Sequence, residues 1–335
     1  MTDLDTPLAA AEPAPAGASR RERIAALVQR SGAYIVLALV VVVASVAFDS
    51  FATVGNAQNI AIQSSFLAIV ALGMTFVIIS GGIDLSVGSV YALGGVLAAY
   101  GIRWGSLVAV LLPLVVCGAI GLLNGLLVAY GRLAPFIVTL ASLLGARGLL
   151  LLITDEGATT RLIPSDSFLV RVVQGSFLGL GWPVWMALGL FALGALVLQR
   201  TRTGQSVLAI GGSRDAALLM GLPVARRTTL LYLASGLLAG LAGALAAAYS
   251  GSGVTIVGVG LELDAIAAVV IGGTLLTGGA GTVGGTLCGV LLLRVIQNVI
   301  NQIGTLGSSY QSVVSGAFLV VVVVVQAYLT REQRL

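Results

Sequence analysis

Long apolar stretches, separated by short polar breaks, run through most of this 335-residue chain. About ten of them are long enough to cross a lipid bilayer, which takes roughly 20 residues of helix. Only helices and closed barrels can span a bilayer, because lipid offers no hydrogen-bond partners to the backbone. Uninterrupted apolar runs of this length favour helices. The sequence therefore predicts an all-α polytopic membrane protein with about ten transmembrane helices.

The expected spans follow the apolar runs and the polar or glycine breaks between them. They are Gly32–Phe48, Gln58–Ser80, Asp84–Gly101, Gly105–Tyr130, Pro135–Thr154, a run that ends at Gln199, Thr229–Tyr249, Leu263–Gly278, Thr282–Ile303 and Ser309–Leu329. Residues 1–30 are expected to be a disordered cytoplasmic tail, since their first part is rich in Ala, Pro and acidic residues. Residues 31–329 would form the transmembrane domain, and residues 330–335 a cytoplasmic tail.

The arginines predict which way the chain is oriented. All 17 basic residues are arginines; with ten spans, twelve fall on one side, three on the other and two within spans. Basic residues concentrate in cytoplasmic loops. Both termini and the loop 199–228 are therefore expected in the cytoplasm, and the loop 155–182 outside.

Two missing residue types exclude classes of site. The chain has no lysine, so it has no Walker A phosphate loop, and ATP with its Mg²⁺ is expected on a partner chain. It has no histidine either, which removes imidazole proton relays and the commonest metal ligand. We expect no cofactor and no metal on this chain. Cys117 and Cys288 fall inside apolar runs and are expected to be small buried hydrophobic residues.

The loop 199–228 is polar and flanked by arginines, unlike the other breaks between spans. Within it, residues 213–221 predict about two turns of amphipathic helix, with Ser213 as N-cap, Asp215 in the first turn and Gly221 as the stop. Its apolar side chains would project into water, so we expect a partner to cover them, namely a cytoplasmic motor protein. The residues expected to contact that partner are Ser213, Arg214, Asp215, Ala216, Ala217, Met220 and Gly221.

Glycine-broken junctions are candidates for a translocation path. Asp84 follows Gly81 and Gly82, and a second junction covers residues 272–285. Broken helices often line a path because their freed backbone groups can meet water or substrate. A different interpretation is that Asp84 caps the third helix at the cytoplasmic surface. The candidate path residues are Ser80, Asp84, Ser86, Asn124, Arg147, Thr274, Arg294, Asn298 and Asn301.

Polar side chains within the spans have two interpretations each. Arg147 and Arg294 either face a cavity, where a guanidinium can bind sugar hydroxyls or a carboxylate, or extend to the outer interface. The ninth span carries amides at three- and four-residue spacing, at Gln297, Asn298, Asn301 and Gln302. Amides suit a polyhydroxylated ligand, and they equally suit hydrogen bonds between helices. Glu262 and Asp264 are expected in the first turn of a helix, not as a catalytic pair.

Glycines at four-residue spacing predict close contacts between helices. They are Gly121 and Gly125, Gly236 and Gly240, and Gly281, Gly285 and Gly289. Small residues at this spacing let two helix backbones approach in lipid. This pattern is shared by channels and transporters, so it predicts packing and does not identify a function.

Several of these segments resemble one transporter family. Residues Ala71 to Ser89, ALGMTFVIISGGIDLSVGS, look like the signature of permease subunits of bacterial ATP-binding-cassette sugar importers, in the ribose, xylose and galactofuranose branch. Gly211 to Gly221 is similar to that family's coupling helix, although Ser213 stands where the family usually has Asn. Gly258 to Leu287 is also similar, and the resemblance covers about Ser31 to Leu329.

The resemblance implies a subunit of a sugar importer in the bacterial cytoplasmic membrane. Two permease copies, or two related permeases, would form the path. Cytoplasmic ATPases would bind ATP and Mg²⁺, and a periplasmic or lipid-anchored sugar-binding protein would deliver the sugar. Gly258–Leu287 and the run through Gly304–Leu306 lean towards galactofuranose-type permeases. The residues alone also leave open an ion-coupled secondary transporter that uses Asp84, or a channel-like protein; they indicate neither an enzyme nor nucleic-acid binding.

Overall fold

The computed structural model describes residues 20–303 and, beyond them, only positions 310, 313, 316, 317 and 320. Residues 1–19 of the predicted tail 1–30, residues 304–306, most of the predicted span 309–329 and the tail 330–335 lie outside the described residues. Residues 20–30 of that predicted tail are helical. In the described part, six helices are long and apolar enough to cross a membrane. This confirms a mostly helical membrane protein.

The helices and strands of the described residues follow one another in a simple order. The helices are α1 Arg20–Ala47, α2 Val54–Ile79, α3 Val87–Gly101, α4 Ser106–Ala129, α5 Pro135–Ile153, α6 Phe168–Gln174, α7 Trp182–Arg200, α8 Arg202–Gly212, α9 Arg214–Leu219, α10 Val224–Ser250, α11 Leu261–Ile271 and α12 Val283–Ile303. The candidate spans among them are α2, α4, α5, α7, α10 and α12. Two short antiparallel pairs join β1 Arg161–Leu162 to β4 Ser252–Gly253 and β2 Ser176–Phe177 to β3 Leu180–Gly181.

Two predicted spans prove to be shorter helices. The third begins at Val87 instead of Asp84, and the eighth is α11, which ends at Ile271 instead of Gly278. Gly273 ends α11 because its φ of +89° turns the backbone left-handed, a conformation that suits glycine. An 11-residue helix such as α11 is about 16 Å long, roughly half of a hydrocarbon core of about 30 Å.

The loop 199–228 contains one more helix than the sequence predicted. We expected a polar connection before residue 213, but residues 202–212 form α8. The Thr201 hydroxyl caps it by accepting a 3.3 Å hydrogen bond from the Gly204 N–H. Val207 and Ile210 are buried on one side of the helix, and this three-residue spacing is the amphipathic signal that was available in the sequence.

The connecting segments group at two ends of the helix bundle. We call the first the α9 end; it carries α8, α9, the α4–α5 turn and the turn after α11. There the Gly279 N–H donates a 2.9 Å hydrogen bond to the Ile79 carbonyl at the end of α2. We call the second the hairpin end; it carries α6 and the short strands. There the Gln58 amide donates a 2.8 Å hydrogen bond to the Gly179 carbonyl.

Helix α2 lies in the core, and α10 packs closely against α3 and α4. The second half of α2 is almost entirely buried. A Cβ atom at Gly125 of α4 would lie 2.7 Å from the Thr229 Cα of α10, and one at Gly94 of α3 would lie 2.8 Å from the Gly240 Cα. These distances leave no room for side chains. The close helix packing expected from the spaced glycines is thus confirmed for α4 and α10.

Candidate functional site

The predicted amphipathic helix at the α9 end is present as α9. Ser213 is its N-cap, and its hydroxyl accepts a 3.3 Å hydrogen bond from the Ala216 N–H. Asp215 lies in the first turn, where a negative charge is stabilised by the helix dipole. The helix itself ends at Leu219, two residues before the predicted stop at Gly221. The predicted cap and the predicted helix are therefore both found.

A Schellman motif closes α9 and fixes its direction. The Leu222 N–H donates to the Ala217 carbonyl at 3.1 Å, and the Gly221 N–H donates to the Leu218 carbonyl at 2.9 Å. Gly221 takes a left-handed φ of +74°. Ala217 is fully buried against Ile210 of α8 and its neighbours. The base of α9 is thus clamped to α8 by packing.

The opposite side of α9 is exposed and apolar. Leu219 is 90% exposed, and Leu218 and Met220 are also more than half exposed. Beside them, Arg214 and Arg132 of the α4–α5 turn line one groove of about 710 Å³. This exposed apolar surface, flanked by two arginines, is of the kind that a protein partner would cover.

Three candidate path residues meet in a buried hydrogen-bond cluster. One Asp84 carboxylate oxygen accepts from the N–H and the hydroxyl of Ser86, at 3.0 and 2.6 Å. The other accepts from the Ser235 hydroxyl of α10 at 2.8 Å. The Asn124 amide of α4 donates to the Ser86 hydroxyl at 3.1 Å and accepts from the hydroxyl of Ser142 on α5. The cluster therefore joins α3, α4, α5 and α10.

The contacts of Asp84 are those of a buried structural residue. Asp84 is 1% exposed, and both of its oxygens are occupied by hydroxyl or backbone donors. It is not itself the N-cap of α3; Ser86 holds that position. Asp84 instead orients Ser86 from two residues away, in an Asx-type turn. Its role in transport stays a prediction.

The candidate residues of α12 face α2 at the hairpin end. The Arg294 guanidinium donates to the Gln297 carbonyl oxygen at 2.7 Å, and the Gln297 amide donates to the Asp264 carboxylate of α11 at 3.3 Å. Asn298 exchanges hydrogen bonds with Asn56 of α2, at 2.8 and 3.1 Å. The amides of α12 therefore serve helix–helix contacts, which is one of their two expected roles.

Arg294, Asn298 and Asn301 also line a cavity of about 300 Å³ between α2 and α12, which we call the amide cavity. The described residues that line it are Asn59, Ile60, Gln63, Arg294, Gln297, Asn298 and Asn301. The sequence predictions left out Asn59 and Gln63. Their four-residue spacing on one face of α2 was visible, but only the packing of α2 against α12 shows what that face meets.

The other three candidates lie apart from these groups. Arg147 of α5 donates a 2.6 Å hydrogen bond to the Thr255 carbonyl, so it holds the non-helical segment 254–260. The Ser80 hydroxyl donates a 2.8 Å hydrogen bond to the Val77 carbonyl at the end of α2. Thr274 is fully buried in the turn after α11, and its hydroxyl has no hydrogen-bond partner among the described residues. The nine candidates thus do not form a single site.

The N-termini of α3 and α11 meet inside the bundle. Gly88 of α3 packs against the Gly258 carbonyl and the Glu262 carboxylate. The first turn of α11 contains Glu262 and Asp264, as expected. The carboxylate of Glu262 therefore lies at the positive ends of two helix dipoles, its own and that of α3.

Comparison with known proteins agrees with this architecture. Residues 56–323 match the family described as the permease component of the branched-chain amino acid transport system. The chain is 38% identical over 299 residues to the ribose import permease protein RbsC of Bacillus subtilis (strain 168), which covers 89% of this chain and 92% of that protein. It is 41% identical over 298 residues to the inner membrane ABC transporter permease protein YjfF of Escherichia coli (strain K12). That alignment covers 84% of this chain and 87% of that protein.

A third relative extends the same pattern. The L-arabinose ABC transporter permease protein AraH of Azospirillum brasilense is 34% identical over 318 residues, covering 92% of this chain and 90% of that protein. No solved structure matches the chain. With six candidate spans in its described part, the chain is a multi-pass protein of the inner membrane. The match over residues 56–323 shows that it belongs to this family of transport-system permease components.

Proposed function

We propose that this chain is the membrane permease subunit of an ATP-driven importer of a monosaccharide. It would form the path together with a second copy or a related permease. Separate cytoplasmic ATPases would bind ATP and Mg²⁺, because the chain has no lysine for a Walker A loop. A sugar-binding protein outside would deliver the substrate. The chain itself would have no ATPase site and no enzymatic role.

The exposed face of α9 carries this proposal. A six-residue helix is too short to be stable alone in water. Here it is capped at both ends, clamped at Ala217 and left with Leu219 90% exposed. Such a rigid apolar projection transmits force when a partner binds it. It suits docking of an ATPase whose ATP-driven closure shifts the balance between two states of the permease.

The orientation proposed is that both termini and the α9 end face the cytoplasm. The groove beside α9 brings Arg132 and Arg214 together, whereas Arg161 lies over the Tyr100 ring at the hairpin end. Both placements agree with the arginine asymmetry of the sequence. Ten spans would bring the C-terminus to the same side as the N-terminus.

Galactofuranose is the sugar we propose, on the sequence resemblance of Gly258–Leu287. The relatives that the chain resembles include permeases named for the import of ribose and fructose and for the transport of L-arabinose. Uptake of these four labelled sugars by cells that carry the complete importer tests the choice. Preferential accumulation of another of the four would correct the sugar and leave the importer proposal intact.

The coupling proposal is tested by Leu219→Asp. We expect uptake to fall at least tenfold and the ATPase to be lost from the purified complex, because a buried carboxylate in the interface would be desolvated without a partner. The matched control is Leu178→Asp, at a leucine that is 79% exposed at the hairpin end. Normal uptake by Leu219→Asp would contradict the coupling role, and uphill transport by this chain alone would contradict the importer.

A further inference from the structure

The amide cavity contains polar groups that the fold itself does not use. Asn59 and Gln63 are exposed side chains, and neither forms a hydrogen bond to the described residues. They lie four residues apart, on one face of α2. Across the cavity stand Arg294, Gln297 and Asn301 of α12. Each amide offers both donors and an acceptor, as a sugar hydroxyl does.

Two charged side chains near the cavity, Arg294 and Asp264, are linked by hydrogen bonds through one amide. Gln297 accepts from Arg294 and donates to Asp264, so the guanidinium and the carboxylate are bridged by one amide. The Arg294 Nε atom is buried and has no hydrogen-bond partner among the described residues. Because the positive charge is already compensated, the cavity favours a neutral ligand rich in hydroxyl oxygens over an anion.

The lining also argues against an aliphatic ligand. Among the described residues that line the cavity, Ile60 is the single apolar one. A branched apolar side chain gains affinity by burying its surface against apolar side chains, and the described lining offers only Ile60. The pocket therefore does not suit the branched-chain amino acids after which the family is described.

Gln63 connects the amide cavity to a second, smaller one. It also lines a cavity of about 160 Å³ that contains Phe66, Tyr91 and Tyr249. Aromatic side chains with a polar tip offer both a flat apolar face and a hydrogen bond, which suits the mixed surface of a sugar ring. Gln63 is therefore placed to contact a ligand in either cavity.

We propose that the amide cavity is a binding site, within a single permease chain, for a neutral polyhydroxylated ligand. Asn59 and Gln63 would determine which ligand this site accepts. This inference rests on the proposed function as a sugar importer. It adds where the ligand would bind and how it would be recognised. The amides of Asn59 and Gln63 on α2, which form no hydrogen bond to the described residues, lie opposite Arg294 of α12, whose charge is compensated through Gln297.

The test uses cells with the complete importer and a small cationic methanethiosulfonate reagent applied from outside. Native Cys117 and Cys288 are buried, so the introduced thiol of Gln63→Cys dominates the reaction. We expect the reaction to block uptake and to become about threefold slower with saturating sugar. The control is Gln58→Cys on the same helix, outside the cavity lining, where sugar should give no protection.

A near-isosteric pair of substitutions gives a second measurement. Asn59→Leu combined with Gln63→Met removes the amides at similar volume, and we expect uptake to fall about tenfold with unchanged protein level, since no hydrogen bond of the described structure is lost. The control is Gln199→Met, at an exposed glutamine of α7 whose side chain forms no hydrogen bond to the described residues. If the wild type accumulates one of the four sugars while Gln63→Cys is unprotected, the cavity proposal alone is overturned. If the wild type accumulates none of them, the proposed function fails, and this inference with it.

Discussion

The Ser235 hydroxyl of α10 donates a 2.8 Å hydrogen bond to the carboxylate of Asp84, which lies in the turn before α3. Both side chains are almost completely buried. The contact therefore links α10 to the start of α3 through a carboxyl group that is almost completely shielded from solvent. Such a group is tolerated only when its hydrogen-bonding capacity is satisfied, and this one serves as a structural junction.

Replacing Asp84 should therefore damage folding before it damages transport. Asp84→Ala leaves the Ser86 N–H and the two hydroxyls without their acceptor, and each unsatisfied buried group costs about 1–3 kcal/mol. We expect a clear fall in the melting temperature of the purified protein. The control Asp49→Ala changes an exposed carboxylate and should alter stability by less than about 0.5 kcal/mol.

The same position separates the importer from an ion-coupled transporter. Asp84→Asn keeps the size of the side chain and loses its charge. In the importer, the folded fraction should still take up sugar at a rate close to that of the wild type. Loss of uptake per folded molecule, together with dependence of the wild type on an ion gradient, would favour the secondary transporter instead.

Gly125 should tolerate no side chain. A Cβ atom there would lie 2.7 Å from the Thr229 Cα, so Gly125→Ala must push α4 and α10 apart. Overpacking of this kind costs about 1–3 kcal/mol. Gly145→Ala on α5 is the control, because no atom lies within 4 Å of its Cβ position, and alanine stabilises a helix. Thermal unfolding of both variants in detergent measures the difference; equal melting temperatures would refute the tight α4–α10 contact.

The base of α9 should be as sensitive as its exposed tip. Ala217→Arg places a long charged side chain where the residue is fully buried, and it should lift α9 off α8. Gly221→Val forces a branched residue into a φ of +74°, at a cost of about 1–2 kcal/mol. We expect at least tenfold lower uptake for Ala217→Arg and a smaller loss for Gly221→Val, with normal membrane insertion.

The control for these two variants is Gly212→Ala, where the Cβ position is open. It should transport normally. Membrane insertion is followed by the amount of full-length protein in washed membranes. Wild-type uptake by Ala217→Arg would show that the position of α9 is irrelevant to coupling.

Arg147 should restrain the segment that leads into α11. Its guanidinium donates to the Thr255 carbonyl at 2.6 Å, and Arg147→Met removes that bond while keeping a side chain of moderate length. We expect amide hydrogen exchange in residues 254–260 to become about tenfold faster, which corresponds to about 1.4 kcal/mol. Arg171→Met, at an exposed arginine of α6, should leave exchange there unchanged. Unchanged exchange in Arg147→Met would favour the interpretation in which Arg147 only extends to the membrane interface.

The sequence was sufficient to predict features of the fold that depend on one residue type and its near neighbours, such as the start and the end of a helix. Ser213 predicted a cap and Gly221 a stop, and both take those roles around α9. The six long apolar helices were equally visible, since length and apolarity alone identify a span. These features depend on neighbours within a few residues, and the chain shows them directly.

Features that depend on distant partners could not be predicted in this way. The end of α11 at Ile271 required a choice among several glycines in one apolar run. The free amides of Asn59 and Gln63 gain their meaning only from α12 across the cavity. Asp84 was expected to begin the third helix and lies just before it, and its acceptor role towards Ser235 joins residues that are far apart in sequence. Periodicity identifies faces of helices, and tertiary packing decides what they meet.

Helix α2 is a continuous rod of 26 residues, about 39 Å long, without a proline. At Ile79 its carbonyl accepts from Gly279 and touches Gly211 of α8, the helix to which α9 is clamped. Near its other end it carries Asn59 and Gln63. If α2 tilts as a rigid helix where α8 contacts it, its other end moves as well. Such a tilt would therefore change the width of the amide cavity, which lies near that end.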